Sequence, residues 1–490
     1  MREITDTEIQ NRLRLDNPWW NDPKKGESGY AHRRAYFETF CERLTMFDVR
    51  RAVVLMGPRR VGKTVMIRQV IEQLIQDNYD SRTILYASLD QPVYSGIWLE
   101  KLLDLFREIH GHSRDDRLFV FFDEIQYLKD WEIHLKVLVD SYPNIRFVAS
   151  GSAAAALKLK SRESGAGRFS DFLLPPLTFW EFCNFQGLTE ESLEQGDMIR
   201  LNPLNEAFID YVNFGGFPEV VIRTDGSQNF ASLVGEDVVD RVLLRDLPSL
   251  YGISNPQELN RLFVTLAYNT AEEVNLESLS QHSHVAKNTI KRYLEYLEAA
   301  FLIRRLHRVD QHVKHFQRAV TFKVYLTNSS LRTALFGPVG EDDPAFGRLA
   351  ETAYFGQLAQ SYAFGQYFYA RWKKRSAEVD FVRLDPSFRE PVVVAEIKWS
   401  DHHFERPEEL AGLKGFLEAN PKLQKQDRSV YAFTKTAVGF HKIANVDVLF
   451  FPLSLACYLQ SKIEVVDFLK RGVHPLSDLT KWASRLRSSN

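Results

Sequence analysis

The sequence predicts an α/β protein of two or three domains. Short apolar runs that stop at turn residues alternate with helical patterns up to about residue 150, the mark of βαβ units in a doubly wound parallel sheet. A mixed pattern of the same kind returns from about residue 345, after a mostly helical stretch. A chain of 490 residues also exceeds what one hydrophobic core supports.

Composition narrows the function classes. The 44% hydrophobic and 26% charged fractions are those of an ordinary water-soluble globular protein. A formal net charge of −2 excludes a global pull toward nucleic acid or acidic lipid, so any such binding must come from local basic patches. Cys41, Cys183 and Cys457 lie far apart with no C-x-x-C pair, which argues against zinc and suits a reducing cytoplasm. The charged start at Met1 lacks the apolar stretch of a signal peptide. No uncharged apolar run approaches the roughly 20 residues needed to span a bilayer. The expected location is cytoplasmic, with no membrane partner.

Residues 1–50 combine an amphipathic start with an aromatic turn, Asn17-Pro18-Trp19-Trp20. The first apolar run, Ala52–Met56, stops at Gly57-Pro58. Thr83–Ala87, Leu118–Phe122 and Ile145–Ser150 follow, and runs of this length read as buried parallel strands. Helical patterns at Thr64–Gln76 and Trp131–Ser141 lie between them.

The turn after the first strand reads Gly57-Pro58-Arg59-Arg60-Val61-Gly62-Lys63-Thr64, which fits the P-loop pattern G-x-x-x-x-G-K-[ST]. A strand feeds it and a helix leaves it, which sets it apart from a chance Gly-rich turn. The glycines let backbone N–H groups turn inward around phosphate oxygens. Lys63 is expected to reach the β- and γ-phosphates and the Thr64 hydroxyl to ligate Mg²⁺. The helix N-terminus adds a favourable dipole. The expected ligands are ATP and Mg²⁺.

Leu118–Phe122 ends in Asp123-Glu124. A carboxylate beside the phosphate loop is where Mg²⁺ needs a partner, so Asp123 takes that role and Glu124 orients and polarises the attacking water. The alternative is an acidic strand cap. Ser150, at the end of the fourth strand, is read as a sensor of the γ-phosphate or as a turn serine. Arg168, in Gly165-Ala166-Gly167-Arg168, would neutralise transition-state charge in its own or a neighbouring subunit, against the reading of a surface arginine.

With these residues in place the chain resembles a family of prokaryotic AAA-fold ATPases. Its members carry a C-terminal winged-helix and restriction-endonuclease-like region catalogued as a domain of unknown function. The resemblance runs through Asn17-Pro18-Trp19-Trp20, the P-loop, Phe122–Gln126 with Asp130-Trp131, Ser150-Gly151-Ser152 and Gly167-Arg168. It continues through Pro176–Phe179 with Glu181-Phe182, Gly215–Pro218, Lys323–Leu326, Glu378–Asp380 and Glu396–Lys398. It implies the fold, ATP binding and a bacterial or archaeal source, but no task. Where the family has Asp shortly after the Lys-x-Tyr strand, this chain has Asn328. The expected domains are an AAA-type ATPase domain over 1–175, a helical linker or lid over 176–254, a winged-helix module over 255–335 and a restriction-endonuclease-like α/β domain over 336–490.

In the winged-helix segment, Leu259–Ala271 and Leu276–Gln281 precede a candidate recognition helix, Ala286–Ala300. Lys287, Asn288, Thr289, Lys291 and Arg292 stand on its first turns, where major-groove contacts are made, while Ile290, Leu294 and Leu297 form the apolar face. Strands Leu302–Arg308 and Thr321–Thr327 flank a wing-like loop with His312, Lys314 and His315. Packing against a partner or the ATPase domain is the competing reading. Farther on, a helix at Arg348–Tyr362 precedes strands near Tyr367–Trp372, Val379–Arg383, Val392–Ile397 and Ser429–Thr434, with a helix across Pro407–Glu418. Asp380, read as a strand end, precedes a turn and then Glu396-Ile397-Lys398, the order found in Mg²⁺ nucleases. Asp380 and Glu396 would hold metal, Lys398 would help generate hydroxide, and Glu351 could be a fourth member.

These readings make the protein a Mg²⁺-dependent ATPase associated with double-stranded DNA, with a nuclease-like effector and AAA-type self-association. A nucleotide-switched scaffold whose C-terminal domains bind protein without cleavage is the alternative. A helicase-like motor lacks a second motor core.

Overall fold

Ala52–Met56 (β1) is apolar on both faces and fully buried, as a strand flanked by other strands and covered on both sides must be. In the computed structural model it lies between two parallel neighbours. With β2 (Ile84–Ser88), β3 (Leu118–Asp123), β4 (Ile145–Gly151) and β5 (Phe169–Leu173) it forms a sheet of order β2-β3-β4-β1-β5, parallel throughout. The structure describes residues 4–151, 167–195, 198–222, 231–313, 321–358, 364–372, 377–425 and 428–470. Ser152, Gly165, Lys314, His315 and the tail past Lys470 lie outside these. The four expected strands are present within a residue or two. β5 is the addition: only Phe172 in it is fully buried, its ring 4.9 Å from that of Phe40. Such an edge strand has no apolar run to betray it.

The opposite edge, β2, would leave a row of backbone groups unpaired. The aromatic turn covers it. Asn17 donates to Tyr86 O at 2.8 Å and accepts from Tyr86 N at 2.6 Å, so its amide copies a strand partner. The indole N–H groups of Trp19 and Trp20 both donate to Ile84 O, at 3.2 and 2.7 Å. Trp20 also packs on Phe106, ring centroids 5.4 Å apart.

Contacts divide the chain into two compact units, Met1–Pro175 with Ala299–Phe301, and Pro176–Glu298 with Leu302–Asn490. A short hairpin, β6 (Glu194–Gln195) and β7 (Met198–Ile199), belongs to the second. Its main sheet is made of β8 (Glu273–Asn275), β9 (Ile303–Val309), β10 (Thr321–Leu326), β11 (Tyr367–Trp372), β12 (Ala377–Leu384), β13 (Pro391–Ile397), β14 (Ser429–Thr434), β15 (Gly439–Ile443) and β16 (Val446–Pro452). The order is β15-β16-β14-β13-β12-β11-β9-β10-β8. The expected boundary at 335 therefore does not separate two bodies: β9 pairs in parallel with β11, His307 opposite Phe368, and one sheet runs through both segments. The three expected helices are present, Leu276–Ser283 and Lys287–Ala299 within two residues of their expected bounds and Pro256–Tyr268 three residues earlier than expected.

The 176–254 segment, expected as a linker or lid, is part of this second core. Phe179, Phe182, Phe208 and Tyr211 pack with Tyr354, Phe433 and Tyr458. Phe179 N donates to Gln357 Oε1 at 3.0 Å and Trp180 N to Ser461 Oγ at 2.9 Å. The correction has a simple cause: these helices carry too many aromatic residues to remain outside a core.

Asn17→Ala removes both edge bonds and strands buried backbone groups, a loss of about 1–3 kcal/mol. Chemical denaturation should show that loss in the first unit.

Candidate functional site

Gly57 leaves β1 next to the end of β5, where Leu174 N donates to Met56 O at 2.7 Å. A Cβ on Gly57 would lie 2.1 Å from Leu174 O, so only glycine fits. Gly62 then turns through φ 94° into the helix Lys63–Gln76. Pro58, Arg59, Arg60 and Val61 complete the loop, Val61 buried and Arg60 itself at φ 66°. The Lys63 ammonium folds back onto loop carbonyls, Gly57 O at 3.0 Å and Pro58 O at 2.7 Å. A lysine held over the loop by neutral carbonyls can turn to phosphate oxygens with little reorganisation.

Asp123, at the end of β3, is 1% exposed and sits beside the loop. Its Oδ2 accepts from Thr64 Oγ1 at 2.7 Å and from Tyr86 OH at 2.9 Å. Its Oδ1 accepts from Ser150 Oγ and, at 3.1 Å, from Glu124 N. A hydroxyl and a carboxylate oxygen side by side make a hard oxygen donor set, so Thr64 and Asp123 fit Mg²⁺. Glu124 follows in left-handed backbone at φ 53°, and Gln126 Nε2 donates to its Oε2 at 2.5 Å. Burial raises the Glu124 carboxyl above its ordinary value, against the opposing charge of Lys63. A carboxylate raised in this way is a stronger proton acceptor.

Two partners of this site were not legible in the motifs. Arg34 is buried and bridges the loop to the chain just after β5, donating to Val61 O at 2.8 Å and Pro175 O at 3.0 Å. Nothing in its sequence neighbourhood marks it. Tyr86, the other, is a polar-tipped aromatic within an apolar strand, which is a weak signal. Arg168 immediately precedes β5, its carbonyl accepting from Ala52 N at 2.9 Å at the start of β1, at the opposite end of the strands from the loop. Five residues of β1 at about 3.3 Å each separate the two. Its Nε pairs with Asp140 Oδ1 at 2.7 Å. It does not reach the nucleotide loop of its own chain.

In the second unit the structure gathers Glu351, Asp380, Glu396 and Lys398 and adds Lys323 and Glu378. Asp380 lies inside β12 rather than at a strand end, at a bulge: Phe368 opposes Val382 and Ala370 opposes Val379, so Asp380 and Phe381 together face Tyr369. The extra residue reverses the side-chain alternation, and Val379 and Phe381 enter different hydrophobic clusters. Lys398 Nζ bridges Asp380 Oδ2 at 3.1 Å and Glu396 Oε1 at 2.8 Å. Lys323 Nζ, from β10, lies 3.0 Å from Glu351, 2.7 Å from Glu378 and 3.4 Å from Asp380. Tyr325 OH donates to Glu351 at 2.6 Å.

Burial alone would raise Asp380; Lys398, Lys323 and the Ile397 amide overturn that and hold it below the usual carboxylate range. Burial and then the Asp380 charge push Glu396 up. Among the described residues no group of three or more His, Cys, Asp or Glu is arranged to hold an ion. Two ammoniums stand between the carboxylates. A lysine in the apolar strand Thr321–Leu326 was the signal for the second of them.

Lys287, Asn288, Lys291 and Arg292 are exposed on one helix and Thr289 is half-buried, over the buried Ile290, Leu294 and Leu297. Lys287 pairs with Glu277. Asn328, the departure from the family pattern, is buried and donates through Nδ2 to Gly215 O at 3.2 Å. Aspartate could not make that bond. No helix among the described residues is long and apolar enough to cross a membrane.

Residues 49–183 match a family described as an AAA domain, and residues 205–342 match one described as a domain of unknown function. An uncharacterized protein of Haemophilus influenzae is 26% identical over 62% of this chain and 74% of its own length. Another, from Methanocaldococcus jannaschii, is 26% identical over 51% of this chain, which spans 55% of that relative. Cdc6p from Pyrobaculum aerophilum aligns at 14% identity over 64% of this chain and 95% of its own, with a TM-score of 0.28, too low to carry an argument.

Lys323→Met would leave buried carboxylates without their counter-ion and cost about 3–5 kcal/mol in denaturant unfolding at neutral pH. Acid should narrow the gap to wild type, because protonated carboxyls no longer need the ammonium.

Proposed function

We propose that the first unit binds ATP with Mg²⁺ and hydrolyses it. The observation that carries this is the 2.7 Å contact between the Thr64 hydroxyl and the buried Asp123 carboxylate, at the mouth of a loop already holding Lys63. In that arrangement the loop amides and Lys63 bind the phosphates, and Thr64 and Asp123 hold the metal. Mg²⁺, when bound, neutralises charge on the phosphate oxygens. Glu124, steadied by Gln126, takes the proton of the attacking water, and Ser150 keeps Asp123 in place. The match of residues 49–183 to an AAA domain supports the same reading.

The finer reading is a DNA-associated, cytoplasmic ATPase that self-associates as AAA proteins do, with Arg168 serving a neighbouring subunit. Exposed Lys287, Asn288, Lys291 and Arg292 on one helix face support DNA contact through a winged-helix module. The nuclease-like order of Glu351, Asp380, Glu396 and Lys398 supports an effector role for the C-terminal segment. One observation favours the second reading, a nucleotide-switched scaffold without cleavage: Lys323 and Lys398 fill the space between the carboxylates.

Glu124→Gln should keep ATP binding and lose about 10²-fold or more in turnover, measured as phosphate release. Lys63→Ala should lose nucleotide affinity itself. Lys291→Glu with Arg292→Glu should abolish a gel shift of duplex DNA at low salt. Mg²⁺-dependent cleavage lost in Asp380→Ala would support the nuclease reading; intact DNA with a working ATPase would favour the scaffold.

A further inference from the structure

Four donors converge on the Asp123 carboxylate, and one of them belongs to no motif in the sequence. The Tyr86 hydroxyl reaches across from β2 to Oδ2, the same oxygen that accepts from Thr64. Both Tyr86 and Asp123 are buried, so water does not compete for the bond. The rest of Tyr86 is fixed as well. The Arg68 guanidinium lies 3.7 Å from its ring centroid, and Asn17 holds its backbone N–H and C=O together. Asn17 in turn ends the helix Asp6–Asp16, its amide bonded to Leu13 O at 2.7 Å.

We propose that Tyr86 is a positioning residue for the metal ion of the bound nucleotide: its hydroxyl holds Asp123 in the orientation that faces Thr64, and Asn17 holds Tyr86. The inference rests on the Mg²⁺-nucleotide site proposed above and adds a line of force from the N-terminal helix to that site. A carboxylate turns about two side-chain torsions. Thr64 must stay on Oδ2 while its oxygen serves the metal, and the Tyr86 bond prevents Oδ2 from swinging away. Removing an outer partner of this kind costs a metal site about 10–100-fold in affinity. Phenylalanine fills nearly the same volume, so Tyr86→Phe deletes the bond and spares the packing.

The test uses full-length wild type, Tyr86→Phe and Asn17→Ala, with a fluorescent ATP analogue as probe. Its affinity is measured across a Mg²⁺ titration and in chelator, with thermal melts to confirm folding. Tyr86→Phe should raise the Mg²⁺ concentration for half-maximal binding by about tenfold and leave affinity in chelator unchanged. Asn17→Ala should shift the curve in the same direction by less. A wild-type Mg²⁺ curve in folded Tyr86→Phe would overturn the inference, as would an equal loss with and without Mg²⁺, which would reduce the tyrosine to packing. A wild type that binds no analogue in Mg²⁺ would instead remove the ATPase reading, a result plainly different from either.

Discussion

A carboxylate taken out of water must find donors or lose its charge, and Asp123 is the place where the first unit meets that requirement. Its two oxygens accept from Thr64, Tyr86, Ser150 and the Glu124 amide, and these groups come from the loop helix, β2, β4 and the chain after β3. The sheet order puts β3 between β2 and β4, which is why three strands and the loop can converge on one side chain. The phosphate loop, the edge strand and the aromatic turn that covers it are therefore parts of one arrangement. Disturbing the turn disturbs Tyr86, and through it the carboxylate.

The second unit meets the same electrostatic constraint differently. Glu351, Asp380 and Glu396 are also buried, but an ammonium group answers each of them, with the Tyr325 hydroxyl a further donor to Glu351. Each carboxylate is answered by a lysine, and each lysine by at least two carboxylates. Such a cluster is costly to break and gives little net stability over an apolar core. Lys323 comes from β10 and Lys398 directly follows β13, strands far apart in sequence that one continuous sheet brings together.

Much of this was legible in the chain. Continuous apolar runs located β1 to β4, and the Gly-rich spacing located the loop, because both signals are local. The apolar face of Ile290, Leu294 and Leu297 likewise fixed which side of the helix Lys287–Ala299 is exposed. What local pattern could not show was β5, an edge strand with one fully buried residue, or the bulge at Asp380 and Phe381, which exists only against Tyr369. Nor could it show that helices placed in a lid belong to a core, since their aromatic residues say that they are buried and not against what.

The amino-acid sequence by itself determined the chemistry of the first site: a loop that must be glycine at Gly57 and Gly62, a lysine, a hydroxyl and a carboxylate at fixed offsets from two strands. Those offsets suffice because strand, loop and helix follow one another directly. The tertiary structure alone decided which distant groups complete each site, Tyr86 and Arg34 in one and Lys323 in the other. Their bonds span from 27 to 141 residues, and only strand order and register bring such residues within hydrogen-bond reach.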